Sequence, residues 1–340
     1  MEASSSPNCF SANGVLRGFT LVELIVVVSI IAILASLALV SVQGARESSR
    51  MVECGNHLKK FGVALTSYET SRRELPSGVG EGRLLINGAR LQLGSIAVQL
   101  AAQLDLGSKE AVRDVSDGTA IRRLRLFGNP FEIVLNCPSD PVPHGISYRG
   151  NTGSGFQSYN VGIPRYDSLL GPFSTPFPSK LSEITDGLSN TVAFAEKRKG
   201  IVNGSVTSDE MWFTGIGGPT SLPSDGEILK PICSSIPLMS PSLFEETGNS
   251  WISSGYLNAI YNHFVAPNSW TRIDCSSRIS GTETNSPEEA IVQASSYHRG
   301  LVQVVFLDGS VRSISDSIEL GIWQGIGSKS GRESVSFDPR

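Results

Sequence analysis

Charge is scarce in this chain. Asp, Glu, Lys and Arg make up 18% of its 340 residues, the net charge is −4, and no run of five basic residues occurs. Nucleic-acid binders concentrate Lys and Arg on one face, so nucleic acid is not an expected partner. Cysteine is also sparse: Cys9, Cys54, Cys137, Cys233 and Cys275. None stands in a C-x-x-C pair, which removes zinc knuckles and thioredoxin-type redox sites. The Asp-x-Asp-x-Asp-Gly spacing of a calcium loop is missing, no Ser or Cys sits in a nucleophile elbow, and no internal repeat is visible. From these absences the chain is expected not to be an enzyme and to carry no cofactor and no metal. What it does hold in quantity is glycine (35 copies) and proline (18). With so little charge, that composition implies a loop-rich, sheet-containing body rather than a helical bundle.

One long apolar run stands out. Leu24 to Val42 carries no charge and is interrupted only by Ser29, Ser36 and Ser41. At about 1.5 Å per residue it spans roughly 28 Å of helix, close to the ~30 Å hydrocarbon core of a bilayer. A buried core helix of a soluble protein is the bland alternative, and a run of this length near a terminus disfavours it. An ordinary secretory signal places its small-residue cleavage site after the apolar core. Here the small residue comes before it, in Arg17-Gly18-Phe19-Thr20-Leu21-Val22-Glu23.

That segment resembles the type IV prepilin motif. The resemblance implies that a prepilin peptidase cuts between Gly18 and Phe19, that Phe19 becomes the N-methylated first residue, and that Glu23 becomes the fifth. The leader departs from the usual pattern in lacking a basic excess, its only charges being Glu2 and Arg17. An ionised Glu23 at the edge of an apolar helix is costly unless paired. In pilins and pseudopilins the matching Glu is thought to meet the charged N-terminus of a neighbouring subunit. The alternative is that Glu23 lies at headgroup level in water; the surrounding motif favours the first reading.

Beyond the apolar run, Met51, Cys54, Leu58, Phe61, Leu65 and Tyr68 recur at steps of three and four. This is one face of a helix, with Arg46, Glu47, Arg50, Glu53, Asn56 and Lys60 mainly off it. The pattern predicts a single helix with a transmembrane half and an amphipathic half that covers a head domain, stopping near Pro76. Gly44, Gly55 and Gly62 are expected to permit bends. A short helix is predicted within 95–104, and strands over 131–135, 191–195, 211–214 and 302–306. Long irregular connections are expected over 140–180 and 215–290. Near the end, Val302 to Leu307 and Ser310 to Ser315 flank Asp308-Gly309, a strong hairpin signal with a two-residue turn. The expected fold is α+β, a long N-terminal helix packed on a mainly antiparallel β-sheet head with long loops. The divisions are a leader (1–18), a transmembrane helix (19–43), its amphipathic extension (44–75) and the head (76–340), with the hairpin near 298–315.

His298 precedes Asp308 by ten positions, which matches the "H-X9-DG" element of a family of prepilin-processed bacterial proteins, domain of unknown function 1559. Other segments resemble the same family in the same order. They are Cys54-Gly55-Asn56-His57-Leu58-Lys59-Lys60-Phe61 after the membrane run, Cys137-Pro138-Ser139-Asp140, Ile184-Thr185-Asp186-Gly187-Leu188-Ser189-Asn190-Thr191, and Tyr261-Asn262-His263 with Pro267-Asn268. Arg299 departs from the family's usual Pro or Gly, and residues 79–125 are hard to match. A His298–Asp308 pair for catalysis or metal binding is weighed against a structural role. The structural role is favoured, because Asp308 falls in the turn, where Asp is selected for backbone reasons. Gly309, Asp186 and Gly187 are read as structural too; His57 and His263 read as ordinary polar contacts. If Cys9 leaves with the leader, four cysteines allow three pairings. Placement suggests Cys54 with Cys137 and Cys233 with Cys275, and the sequence alone does not choose.

The resemblance implies a pseudopilin-like protein of a type II secretion or type IV pilus-like system. It would be inserted once in the inner membrane, N-terminus cytoplasmic before processing, with the head periplasmic or extracellular. Its expected partners are the prepilin peptidase and other pseudopilin-like subunits. An anchored binding module for polysaccharide or protein stays open beside that reading.

Overall fold

The computed structural model describes residues 19–78, 82–86, 89–106, 130–142, 145–154, 169–173, 178–200, 211–213, 243–244, 247–269, 274–277 and 289–331. The chain divides into two compact units, 1–48 and 49–340. Helix α1 (Leu21–Arg72) is continuous over 52 residues. It starts with a capping box. The Thr20 hydroxyl accepts from Glu23 N–H at 3.3 Å, while the Glu23 carboxylate accepts from Thr20 N–H at 2.9 Å and from its hydroxyl at 2.8 Å. It ends where Arg73 enters the left-handed region at φ 62°, before Pro76 is reached.

Within the first unit the side chains from Leu21 to Leu39 stay exposed, and none of the apolar window is buried. In the second unit the same helix has a buried stripe: Cys54, His57, Leu58, Phe61, Ala64 and Leu65. Burying Leu58, Phe61 and Leu65 stabilises by about 1.5–3 kcal/mol each.

The stripe packs on a five-stranded sheet. Its strands are β3 (Tyr148–Asn151), β4 (Val192–Glu196), β7 (Ile260–Tyr261), β10 (Leu301–Phe306) and β11 (Val311–Ser315). They lie in the order β11-β10-β4-β3-β7. Three of the four pairings are antiparallel and β3 with β7 is parallel. Alternation along the strands places Tyr148, Phe194, Glu196, Gln303 and Val305 on the face toward α1. Phe61 meets Phe194 at 5.1 Å and Tyr148 at 5.6 Å between ring centres. The Gln303 amide donates to Met51 O at 2.9 Å. β3 and β4 are buried along their whole length, as expected of strands at the centre of a sheet. A separate hairpin pairs β1 (Gly82–Ile86) with β2 (Ala89–Leu93). A further sheet is built from β5 (Met211–Phe213), β6 (Leu243–Phe244), β8 (Cys275–Ser277) and β9 (Glu289–Ile291), in the order β6-β5-β8-β9. Helix α2 (Ile96–Gln99) is capped by Ser95, and α3 (Leu320–Gly327) closes the described chain.

The α+β architecture agrees with the sequence reading, and two local expectations are corrected. Residues 130–135 form a 3₁₀ turn rather than a strand: Pro130 leads the segment, and Asn136 N–H bonds back to Ile133 O at 3.3 Å. The β10–β11 turn has three residues rather than two. Phe306 N–H bonds Ser310 O and Gly309 N–H bonds Phe306 O, both at 2.9 Å, so only Gly309 takes positive φ (78°). This is a type I turn closed by a left-handed glycine. Gly55 and Gly62 serve close approach. A Cβ on Gly62 would lie 3.0 Å from both Gly309 Cα and Val305 Cγ2, and one on Gly55 would lie 3.1 Å from Gln303 Oε1. Gly44 has nothing within 4 Å of such an atom.

Gly62→Ala should therefore destabilise the head by about 1–3 kcal/mol through overpacking, whereas Gly44→Ala should leave it unchanged. Urea unfolding of the detergent-solubilised full chain, followed by tryptophan fluorescence, reads both effects as midpoint shifts.

Candidate functional site

Two features of the chain hold residues of chemical interest: the start of α1 and a buried polar cluster where α1 meets the sheet. At the helix start, Phe19 is exposed and Glu23 is held by Thr20. Glu23 therefore has a local partner in the Thr20 cap, a role the sequence reading did not assign. Gly18 lies outside the described residues.

The cluster forms where four chain segments converge. Cys54 on α1 is joined by a disulfide to Cys137, which follows the 3₁₀ turn, bridging 83 residues of sequence. A link of that length contributes on the order of 2–5 kcal/mol by restricting the unfolded chain. Cys137 opens a turn in which Asp140 N–H bonds Cys137 O at 2.9 Å. His298, just before β10, points its Nε2 at Cys137 Sγ (3.6 Å) and at Glu196 Oε1 on β4 (3.4 Å). The other Glu196 oxygen, Oε2, accepts Gln303 N–H at 2.9 Å. Cys54, Cys137, Glu196 and His298 are all buried. Asn268 orders the approach to His298: its Oδ1 accepts Ser296 N–H at 2.9 Å and its Nδ2 donates to Leu301 O at 3.2 Å.

Paired charges surround this centre. Lys197 forms a fully buried ion pair with Asp274. The Lys199 ammonium bonds Asn136 Oδ1 and Val142 O, and lies 3.9 Å from Asp140. Burial pushes the Asp140 carboxyl upward, partly countered by Lys199 and by the N–H groups of Val142 and Lys199. His57 Nδ1 faces Asn136 O at 3.0 Å and the Tyr148 hydroxyl at 3.3 Å; burial lowers its pKa, against the raising effect of the Asn136 bond.

The other motif residues fall elsewhere. Asp308 is exposed in the hairpin turn, where its Oδ1 accepts Ser310 N–H at 2.8 Å. It stands at the opposite end of six-residue β10 from His298, so the carboxylate beside His298 is Glu196. Gly309 offers its carbonyl to Lys59 Nζ at 2.8 Å. Gly187 takes φ 96°, Asn190 Nδ2 bonds Asp186 O at 3.0 Å, and Asp186 Oδ2 accepts from Ser328 Oγ at 3.0 Å and Gly331 N–H at 2.8 Å. The Asp-Gly segment thus ties the chain after α3 to the body. Cys233 lies outside the described residues, as does the side chain of Cys275 on β8. Sequence reasoning missed Glu196, although a carboxylate ending the otherwise apolar Val192-Ala193-Phe194-Ala195 run was a usable signal.

Among the described residues, His263 is the most deeply sequestered imidazole. Its Nδ1 donates to Trp323 O at 2.7 Å, its Nε2 accepts from the Tyr261 hydroxyl at 2.8 Å, and its ring stacks 3.8 Å from that of Trp323. Burial lowers its pKa to about 3, the Trp323 carbonyl pulling the other way. The unfolded chain therefore binds a proton that the folded chain refuses between the ordinary value of 6.5 and about 3. Stability from this residue is complete above about pH 6.5 and lost as pH falls toward 3, a loss on the order of a few kcal/mol. Urea midpoints measured from pH 7 to pH 4 should fall for the wild type, and His263→Gln should flatten part of that slope.

Comparison with known families separates the two features. The family described as "Protein of unknown function (DUF1559)" matches residues 43–321, and the prokaryotic N-terminal methylation motif matches residues 17–39. No curated protein and no solved structure matches the chain. The first match covers most of the head and every residue of the buried cluster. The second covers Phe19, Glu23 and most of the apolar half of α1, marking that segment as prepilin-type and a membrane anchor. The chain belongs to the DUF1559 family, as a member with a prepilin-type N-terminal methylation motif.

Proposed function

We propose that the protein is a pseudopilin-like subunit of a type II secretion or type IV pilus-like assembly, held in the inner membrane with its head on the periplasmic or extracellular side. Its role in this reading is structural and not catalytic. The carrying observation is Gly18-Phe19-Thr20-Leu21-Val22-Glu23 running straight into an apolar helix whose window is wholly unburied. An isolated helix of that composition has no soluble way to cover its surface, and a bilayer or a bundle of like helices supplies one. Prepilin peptidase would free Phe19. Its new amino group offers Glu23 of an adjacent subunit a cation to replace the Thr20 cap. A head of residues 71–340 is large for a repeating filament subunit, which favours a minor, tip-like position.

The anchored binding module is supported by a cavity of about 270 Å³ beside β10. Arg198 lies over the Tyr297 ring at 4.4 Å in its wall, and Arg299 also lines it. With Asp316 also in the wall, the lining is polar, aromatic and of mixed charge, which suits a sugar or a peptide.

Glu23→Ala separates the two. In the subunit reading the variant is still cleaved at Gly18 but fails to cross-link or co-purify with its assembly. In the anchor reading it behaves as wild type, and the detergent-solubilised protein instead retains glycans or peptides on an array. Intact-mass measurement of membrane-extracted protein should show residues 1–18 removed and one N-terminal methyl group added. A mass retaining Met1 would defeat both readings.

A further inference from the structure

We propose that Cys54, Cys137, His298 and Glu196 form a redox-exchangeable metal site, in which reduction of the disulfide converts the cluster into a four-ligand zinc centre. One ligand atom from each of the four residues lies within 4.8 Å of all the others, and their relative exposures run from 0% to 6%. Two thiolates, one imidazole and one carboxylate are a donor set that zinc takes tetrahedrally, at about 2.3 Å to sulfur and about 2.0–2.2 Å to nitrogen and oxygen. Those bond lengths require tetrahedral edges of about 3.6 Å from sulfur to nitrogen and about 3.4 Å from nitrogen to oxygen. The Cys137 Sγ–His298 Nε2 and His298 Nε2–Glu196 Oε1 distances are 3.6 and 3.4 Å. Two edges are therefore already set, the remaining ligand atoms lie within 4.8 Å, and the two sulfurs must separate once their bond is cut.

The surroundings fit a ligating role better than an ordinary ion pair. Glu196 Oε1 is buried without a hydrogen-bond partner, while Oε2 is fixed by Gln303 N–H. One oxygen is thus oriented by the sheet and the other is left toward His298 and the sulfurs, the division expected of a carboxylate held by an outer-shell donor. His298 also borders the 270 Å³ cavity.

In the exchange, a dithiol reductant transfers two electrons and two protons to the Cys54–Cys137 bond, leaving two thiols and becoming a disulfide itself. Zn²⁺ then displaces both thiol protons, and neutral His298 and ionised Glu196 complete the shell. Oxidation by a disulfide donor reverses the sequence and releases the ion. In either state α1 stays fastened to the segment after the 3₁₀ turn, so the head keeps its staple in both oxidising and reducing surroundings.

The test uses the full chain in detergent. Reduced anaerobically with a phosphine and titrated with Co²⁺, it should bind one equivalent and develop thiolate-to-cobalt charge-transfer absorption. Zn²⁺ should abolish that absorption and slow alkylation of Cys54 and Cys137; the oxidised chain should do none of this. Glu196→Gln and His298→Ala, which keep both cysteines, should each weaken Co²⁺ and Zn²⁺ binding at least about tenfold to hundredfold, the loss typical of even outer-shell partners. Cooperative unfolding of each oxidised variant checks that it folds. The proposal is overturned if the reduced wild type binds no more tightly than a Cys54→Ser/Cys137→Ser double variant. It is also overturned if both single variants bind as the wild type does, or if reduction unfolds the head and Zn²⁺ fails to restore it.

Discussion

The fit of one face of α1 against the sheet is the constraint on which the head depends. The contact is close because glycines at 55 and 62 leave room for Gln303, Val305 and the backbone of Gly309. It is apolar because Leu58, Phe61 and Leu65 enter a core shared with Tyr148, Phe173 and Phe194. Direct polar ties fix its register: Gln303 to Met51 O, Lys59 to Gly309 O and His57 to Asn136 O. A helix shifted by one residue would lose all of these together, since 100° of rotation would replace glycine by a side chain at the points of closest approach.

Buried charge accompanies that fit on both sides of the sheet. Glu196, Lys197, Lys199, Asp274 and His298 are buried, and the side chain of Asp140 is taken out of water beside Lys199. Isolated, each would cost several kcal/mol, and removing one partner from such a set is more damaging than the pair's net worth. The structure meets that cost by pairing Lys197 with Asp274 and by surrounding Lys199 with Asn136, Val142 and Asp140. Glu196 and His298, set beside a disulfide, are the members whose arrangement is least accounted for by packing alone.

The anchor and the head follow different physics. The apolar half of α1 needs only length, hydrophobicity and a cap at Thr20, all properties of consecutive residues. The head needs contacts between residues hundreds of positions apart, such as Lys59 with Gly309 and Met51 with Gln303. Processing and anchoring are accordingly written in one short stretch, while the DUF1559 head is specified by scattered small motifs. Each of these proves to be a turn or a tie: Asp186-Gly187 toward Ser328 and Gly331, Asn268 toward Ser296, Asp308-Gly309 at the hairpin.

Sequence by itself determined the features whose causes are local. The apolar run, the prepilin-type segment before it, the 3.6-residue stripe on α1 and the strand–Asp-Gly–strand hairpin all depend on near neighbours. Tertiary structure decided the rest. The turn length at Asp308 was set by the pairing of Phe306 with Ser310, and the 3₁₀ form of residues 130–135 by a segment that joins no sheet. The close packing at Gly62 depended on what lay opposite. The company of His298 was beyond any spacing rule, because the sheet brings Glu196 from a strand about 100 residues earlier and α1 brings Cys54 from farther still. Only closure of the helix onto the sheet makes those groups neighbours.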